Sequence, residues 1–168
     1  VDVLAFDQAD LPDELRAQVD RLEGDAWPVD PAPAASAHHG HDPALDPVIM
    51  LLAADDQVLA TLAILHMQVR HAGALFSAAG LSAVTTRSDA RGRGHGHRLV
   101  VAARRRIAGS GADLALFTCD RPLQGFYERA GWQYLPGTVL IGGTTAVPFR
   151  SDQPGFDKVT IGDFFTGH

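Results

Sequence analysis

The sequence predicts an α/β (α+β) protein of one domain, with a mixed, mostly antiparallel central sheet flanked by helices. Three observations carry this reading. Apolar runs of strand length follow one another between residues 48 and 87 with only short turns between them. Residues 81–108, LSAVTTRSDARGRGHGHRLVVAARRRIA, then pass from a strand pattern through a glycine-rich turn into a helical pattern. A further apolar run at 114–119 completes a strand, helix and parallel strand, the βαβ crossover.

Each element has its own signal. Residues 1–6 read as an edge strand. Asp10 before Leu11 and Pro12 reads as an N-cap with proline in the first turn, and Leu15, Val19 and Leu22 recur at helical spacing. A helix over 11–23 is expected, stopped by Gly24. From 26 to 47, Pro28, Pro31, Pro33, Pro43 and Pro47 break any periodic element, which leaves a long loop of the kind that often forms lids or binding segments. Its His38, His39 and His41 have no spaced carboxylate or cysteine partners, so exposed histidines are expected there and no metal site.

Runs at 48–54 and 58–69, separated by Asp55, Asp56 and Gln57, read as a hairpin. A turn at 70–73 leads to strands at 74–78 and 81–87. In the helix that follows, Leu99, Val100, Ala103 and Ile107 share one face, and the glycines at 109 and 111 end it. Pro122 starts a short helix through Arg129, closed by Gly131. Short strands at 132–134 and 138–141, a loop over 142–155 and a closing strand over 158–165 complete the chain.

Composition narrows the function. With 168 residues, 46% hydrophobic and 20% charged, the chain is globular and large enough to bury roughly two thirds of its unfolded surface. It has no apolar run of membrane-spanning length, and its first ten residues carry acids where a secretory signal has positive charge, so a soluble, cytoplasmic protein with no membrane partner is expected. The single cysteine, Cys119, lies in a strand pattern and reads as a buried reduced thiol. A net charge of −6 argues against nucleic-acid binding. Yet Arg87, Arg91, Arg93, Arg98, Arg104, Arg105 and Arg106 supply seven of the fourteen basic residues, a local zone suited to a small polyanion. Arginine outnumbers lysine, with Lys158 alone, as in a GC-rich bacterial genome.

The glycine-rich turn carries chemistry. The first amides of a helix lack partners, and the macrodipole adds positive charge there, so an anion is favoured. Gly92, Gly94 and Gly96 remove side chains that would hold a phosphate away, and Arg91 and Arg93 flank them. The dinucleotide fingerprint fails because His97 stands where its third glycine belongs, and a P-loop fails because no lysine is near.

The arginine-led pattern Arg91-x-x-Gly94-x-Gly96, with the strand before it and the later FYERAGW, resembles the GNAT superfamily of N-acetyltransferases, nearest in look to bacterial aminoglycoside acetyltransferase-like members. The resemblance implies the GNAT fold, whose middle strands splay apart, with acetyl-CoA as co-substrate and a small-molecule amine as acceptor. Its pyrophosphate loop corresponds to Arg91, Gly92, Arg93, Gly94, His95 and Gly96, and its pantetheine-receiving backbone to Val84, Thr85 and Thr86. Tyr127 matches the tyrosine that donates a proton to the departing thiolate, although Phe126 and Tyr127 are equally a pair of core aromatics. Asp120 stands where many members carry an asparagine.

The general base is open. Ser82 occupies the position of an acid in the aminoglycoside branch, and His66, the loop histidines, Asp30 or Asp163 could substitute. Asp25, Asp30, Asp42, Asp46, Asp152, Asp157 and Asp163 suit a cationic acceptor or are solvated loop acids. Two rivals stand beside small-molecule transfer: an acyl-CoA-binding module without turnover, motivated by Ser82, and a protein-amine acetyltransferase. The last strand and sheet edge offer a surface for a homodimer.

Overall fold

The computed structural model describes residues 1–28, 40–143 and 146–166. In chain order these form β1 (Asp2–Asp7), α1 (Asp13–Ala26), β2 (Val48–Ala54), β3 (Gln57–His71), β4 (Ala74–Thr86) and α2 (His95–Ala108). There follow β5 (Leu114–Asp120), α3 (Gln124–Arg129), β6 (Gln133–Tyr134), β7 (Ile141–Gly143), β8 (Pro148–Arg150) and β9 (Lys158–Phe164). The main sheet has the hydrogen-bonded order β1-β2-β3-β4-β5-β9-β6, and β7 with β8 forms a separate pair. The chain divides into two compact units, Val1–Met67 with Leu81–Ala103, and Gln68–Gly80 with Arg104–His168.

In the first unit, Asp55 and Asp56 have φ of 49° and 62° between β2 and β3. Left-handed backbone at both central positions is the type I′ signature, whose twist suits a two-residue hairpin. Gln18 on α1 holds this turn, donating to the Asp56 carbonyl at 2.9 Å and accepting from the Val58 amide at 2.8 Å. Leu11, Val19 and Leu22 pack against Ile49, Leu51, Val58 and Ala63, so α1 buries its apolar face on β2 and β3.

The ends of α1 correct the sequence reading. The helix begins at Asp13, with Pro12 and not Asp10 at the cap, and no side chain caps it. Arg16 donates its amide to the Pro12 carbonyl at 2.9 Å. Gly24 does not stop it; the helix runs to Ala26 and the Trp27 amide returns to the Glu23 carbonyl. Burial of Val19 and Leu22 outweighs the roughly 1 kcal/mol that glycine costs within a helix. In place of separate strands at 74–78 and 81–87, β4 is continuous from Ala74 to Thr86 and passes through Gly80.

In the second unit, β4 and β5 pair in parallel through Ala78↔Leu114 and Ala79↔Ala115, as the crossover requires. Strand β9 runs antiparallel to β5 from Leu114↔Phe164 to Asp120↔Lys158, and β6 joins its other side. The last strand is therefore interior, and the edge expected there belongs to β6. Part of the 142–155 stretch read as loop is strand: β8 and the end of β7 lie in it, in the register Ile141↔Arg150 to Gly143↔Pro148. No apolar periodicity marks these residues, which are exposed throughout. Thr138, expected at the start of a strand, lies in the loop before β7 and accepts at its carbonyl from the Thr160 hydroxyl at 2.6 Å.

Candidate functional site

The turn between β4 and α2 is built from backbone outward. The Arg87 amide donates to the Leu59 carbonyl at 2.9 Å, and Ala90, 2% exposed, seats the 3₁₀ turn Ser88–Ala90 in the core. Arg91 Nε donates to the Thr86 carbonyl at 3.2 Å, which ties the loop to the strand end. Gly92 and Gly94 have φ of 76° and 80°, left-handed values that side chains rarely adopt. A Cβ at either position would meet nothing within 4 Å, so the turn is open.

The first helical hydrogen bond of α2 runs from the Arg98 amide to the Gly94 carbonyl at 2.9 Å. The amides of His95, Gly96 and His97 therefore head the helix without intrahelical acceptors. Its first turn carries no acid. Asp89, the nearby carboxylate, is hydrogen-bonded to Arg87 Nε at 2.6 Å and lies below the usual carboxylate range for that reason first. Arg91 and Arg93 remain exposed. Open amides, an uncrowded turn and two exposed guanidiniums fit an anionic diphosphate.

Val84, Thr85 and Thr86 form the end of β4, with Thr85 buried and its neighbours half-buried. Just before them Ala83 has φ 51°, a left-handed residue within a strand. The sequence gives no signal for it, since alanine carries none of the turn chemistry that marks such positions. Ser82 is half-buried. These residues and the loop belong to the first unit; Tyr127 belongs to the second.

Tyr127 sits on α3, whose end is a Schellman motif. The Trp132 amide donates to the Tyr127 carbonyl at 3.2 Å and the Gly131 amide to Glu128 at 3.0 Å, with Gly131 at φ 90°. The ring is 5% exposed and packs edge-on against Phe117 and Phe126, each at 5.0 Å between centroids. Burial, then Cys119 and Asp120, push the phenol well above its ordinary range, so it is neutral near pH 7. Burial and Asp120 likewise push the Cys119 thiol up to about 11, against a smaller opposing effect of Lys158. Cys119 is a buried free thiol, as expected.

The base candidates separate. Asp163 is buried, with Arg104 Nη2 2.5 Å from Oδ2, and with Gln133 Nε2 and the Phe164 amide donating to Oδ1. It is a structural acid. His66 Nδ1 lies 3.0 Å from the Asp46 carbonyl; a carbonyl only accepts, so Nδ1 donates to it. His41 is clipped through its backbone to the Gln8 amide group, and burial lowers its pKa. Asp30, His38 and His39 lie outside the described residues. Among the described residues no three His, Cys, Asp or Glu side chains form a metal cluster.

Most of the loop acids proposed for a cationic acceptor have local duties. Asp42 caps the Ala44 amide at 2.9 Å, Asp152 takes two bonds from Arg150 at 2.9 Å each, and Asp157 pairs with Arg121 at 2.7 Å. Asp25 is exposed.

A family model described as an acetyltransferase (GNAT) domain matches residues 11–135, and the chain belongs to this family. Solved structures share its fold. Aminoglycoside 6'-N-acetyltransferase complexed with coenzyme A superposes with a TM-score of 0.70 at 13% identity, covering 100% of this chain and 99% of that one. Escherichia coli ElaA gives 0.65 at 14%, covering 96% and 97%, and an acyl-CoA N-acyltransferase from Pseudomonas aeruginosa gives 0.63 at 21%, also covering 96% and 97%. No curated protein matches the chain in sequence. Among the described residues no helix is long and apolar enough to cross a membrane.

Proposed function

We propose that the protein is an acetyl-CoA-dependent N-acetyltransferase that acetylates a primary amine of a small molecule by direct attack in a ternary complex. The observation that supports this is the open turn at Gly92–Gly94 and the three amides at the head of α2, in a chain of the GNAT family. Acetyl-CoA supplies an activated acyl group as a thioester. Arg91, Gly92, Arg93, Gly94, His95 and Gly96 hold the diphosphate, and the backbone of Val84, Thr85 and Thr86 receives the pantetheine arm as an added strand. An amide of that segment donates to the developing oxyanion.

The amine nitrogen forms a bond to the carbonyl carbon while the C–S bond breaks. Tyr127, a phenol and so neutral near pH 7, gives its phenolic proton to the departing thiolate. The proton lost by the amine passes to solvent or to an acceptor reached through water, since Ser82 is a poor base.

The experiment is thiol release from acetyl-CoA over a panel of small amines, with Tyr127→Phe beside it. Amine-dependent release that the variant slows supports the reading. Tight coenzyme A binding with no release would favour the acyl-CoA-binding module that Ser82 motivates. Release driven only by protein lysines would move the acceptor to the protein class.

A further inference from the structure

Strands β7 and β8 form a two-stranded ribbon of their own, on which Ile141 is 65% and Phe149 45% exposed. A lone hairpin is marginal in water, and large apolar side chains left in the open on one mark a contact surface. The register settles where its backbone groups point. The Ser151 amide donates to the Leu140 carbonyl at 3.0 Å, which makes these two a hydrogen-bonded pair one step before Ile141↔Arg150. Such pairs alternate along an antiparallel ladder, so Gly142 and Phe149 form the next one. The N–H and C=O of Ile141 therefore point away from β8, and among the described residues neither has a backbone partner.

The two edges of the ribbon differ. Strand β8 carries Pro148, which has no N–H, and Arg150, whose charge discourages a strand alongside. Strand β7 is Ile141, Gly142 and Gly143, without charge or proline. A Cβ at Gly142 would meet nothing within 4 Å, so another strand can approach closely there. Ile141 shares one face with Arg150; Gly142 shares the other with Phe149, whose ring packs edge-on against Phe156 at 5.2 Å.

We propose that the β7 edge pairs antiparallel with β7 of a second copy of this chain, about a two-fold axis at Ile141. The proposal is independent of the acyl-transfer reading. Ile141 and its counterpart exchange both N–H···O bonds, and their side chains meet on one face. On the other face, bare Gly142 leaves room beside the Phe149 ring for Leu140 of the second copy. The contact is isologous and so closes at two copies.

Charge selects this occupant. The ionised groups at the ribbon and beside Phe156 come as pairs: Arg150 with Asp152 at 2.9 Å, and Arg121 with Asp157 and Lys158 with Asp120 at 2.7 Å. The whole chain carries −6, so two copies meet with least repulsion across a neutral patch. A strongly acidic or basic peptide would need a patch of one sign.

Sedimentation of the full chain over roughly 1 to 100 µM tests this, because a short edge gives a dimer of micromolar strength. At the upper end the parent should run at twice the chain mass of 17.9 kDa. Ile141→Lys brings two ammoniums together at the axis and should weaken the dimer by about 10-fold or more, with the thermal unfolding midpoint unchanged. On a Cys119→Ala background, Ile141→Cys should link to itself on air oxidation, since opposed hydrogen-bonded residues lie about 5.5 Å apart between Cα atoms. Leu75→Cys, 59% exposed on β4, should not. If Ile141→Lys also lowers the midpoint, the cross-link alone decides. A parent that stays monomeric overturns the proposal and leaves the edge to a peptide of another protein. A dimer that a stable Ile141→Lys leaves intact, or that Ile141→Cys fails to link, overturns it in favour of a different surface.

Discussion

Arg104 on α2 and Asp163 on β9 form an ion pair with 2.5 Å between Nη2 and Oδ2, and the carboxylate is 4% exposed. Position 163, a candidate proton acceptor from sequence, is thereby committed to holding the end of α2 to the sheet. Removing one partner of a buried pair leaves a charge without compensation, a loss of about 3–5 kcal/mol when both are buried. Arg104 is 35% exposed, so Asp163→Ala should cost roughly 2–3 kcal/mol in urea unfolding. A loss no larger than that of the exposed Asp152→Ala would show the pair to be ornamental.

Gly94→Ala places a side chain on left-handed backbone, at roughly 1–2 kcal/mol of strain. The space around it is empty, so the fold should survive. The turn should then shift, and the KM for acetyl-CoA should rise about 10-fold with kcat changed little. Equal KM values in parent and variant would remove the turn from cofactor binding.

Tyr127→Phe keeps the ring that packs on Phe117 and Phe126 and deletes the proton. General acids contribute about 10²–10⁴-fold, so kcat should fall by about 10²-fold or more, with the unfolding midpoint nearly unchanged. A variant that loses stability and not rate would make Tyr127 a core aromatic only.

Alkaline pH should unfold the protein by a nameable route. The folded state holds the Cys119 proton to about 11, while an unfolded thiol releases it near 9. The native state therefore binds the extra proton between those values, and stability falls as pH rises through that window. Two units at about 1.4 kcal/mol each give roughly 3 kcal/mol, all present below pH 9. Tyr127, also raised, adds to the loss from its own ordinary value upward. Urea midpoints at about pH 8 and about pH 10.5 measure the slope, and Cys119→Ala should flatten it. An unaltered slope would assign the loss elsewhere.

The legible parts of the chain were those with local chemistry. The apolar face of α2, the strands on either side of it and the C′ glycine at 131 each follow from residues within a few positions. The open turn at Gly92 and Gly94 was legible for the same reason, since glycines at fixed offsets before a helical pattern mark left-handed backbone. Asp10 and Gly24 misplaced the ends of α1 because burial of Val19 and Leu22 decided them instead. Ala83 was invisible, because alanine carries no local signal for left-handed backbone. The partners of Asp163 and Asp120 come from elements distant in sequence: strand register brings Lys158 to Asp120, and Arg104 reaches Asp163 from α2.

The carbonyl of Tyr127 accepts two amides, from Ala130 at 2.9 Å and Trp132 at 3.2 Å, while its ring is gripped by two other aromatics. Main chain and ring are thus immobilised by separate means. What stays free is rotation about the final carbon–oxygen bond, a swing of one hydrogen atom. Delivery of that atom would need no hinge and no rearrangement of the fold, only a turn of the hydroxyl toward whichever neighbour has just become the stronger acceptor.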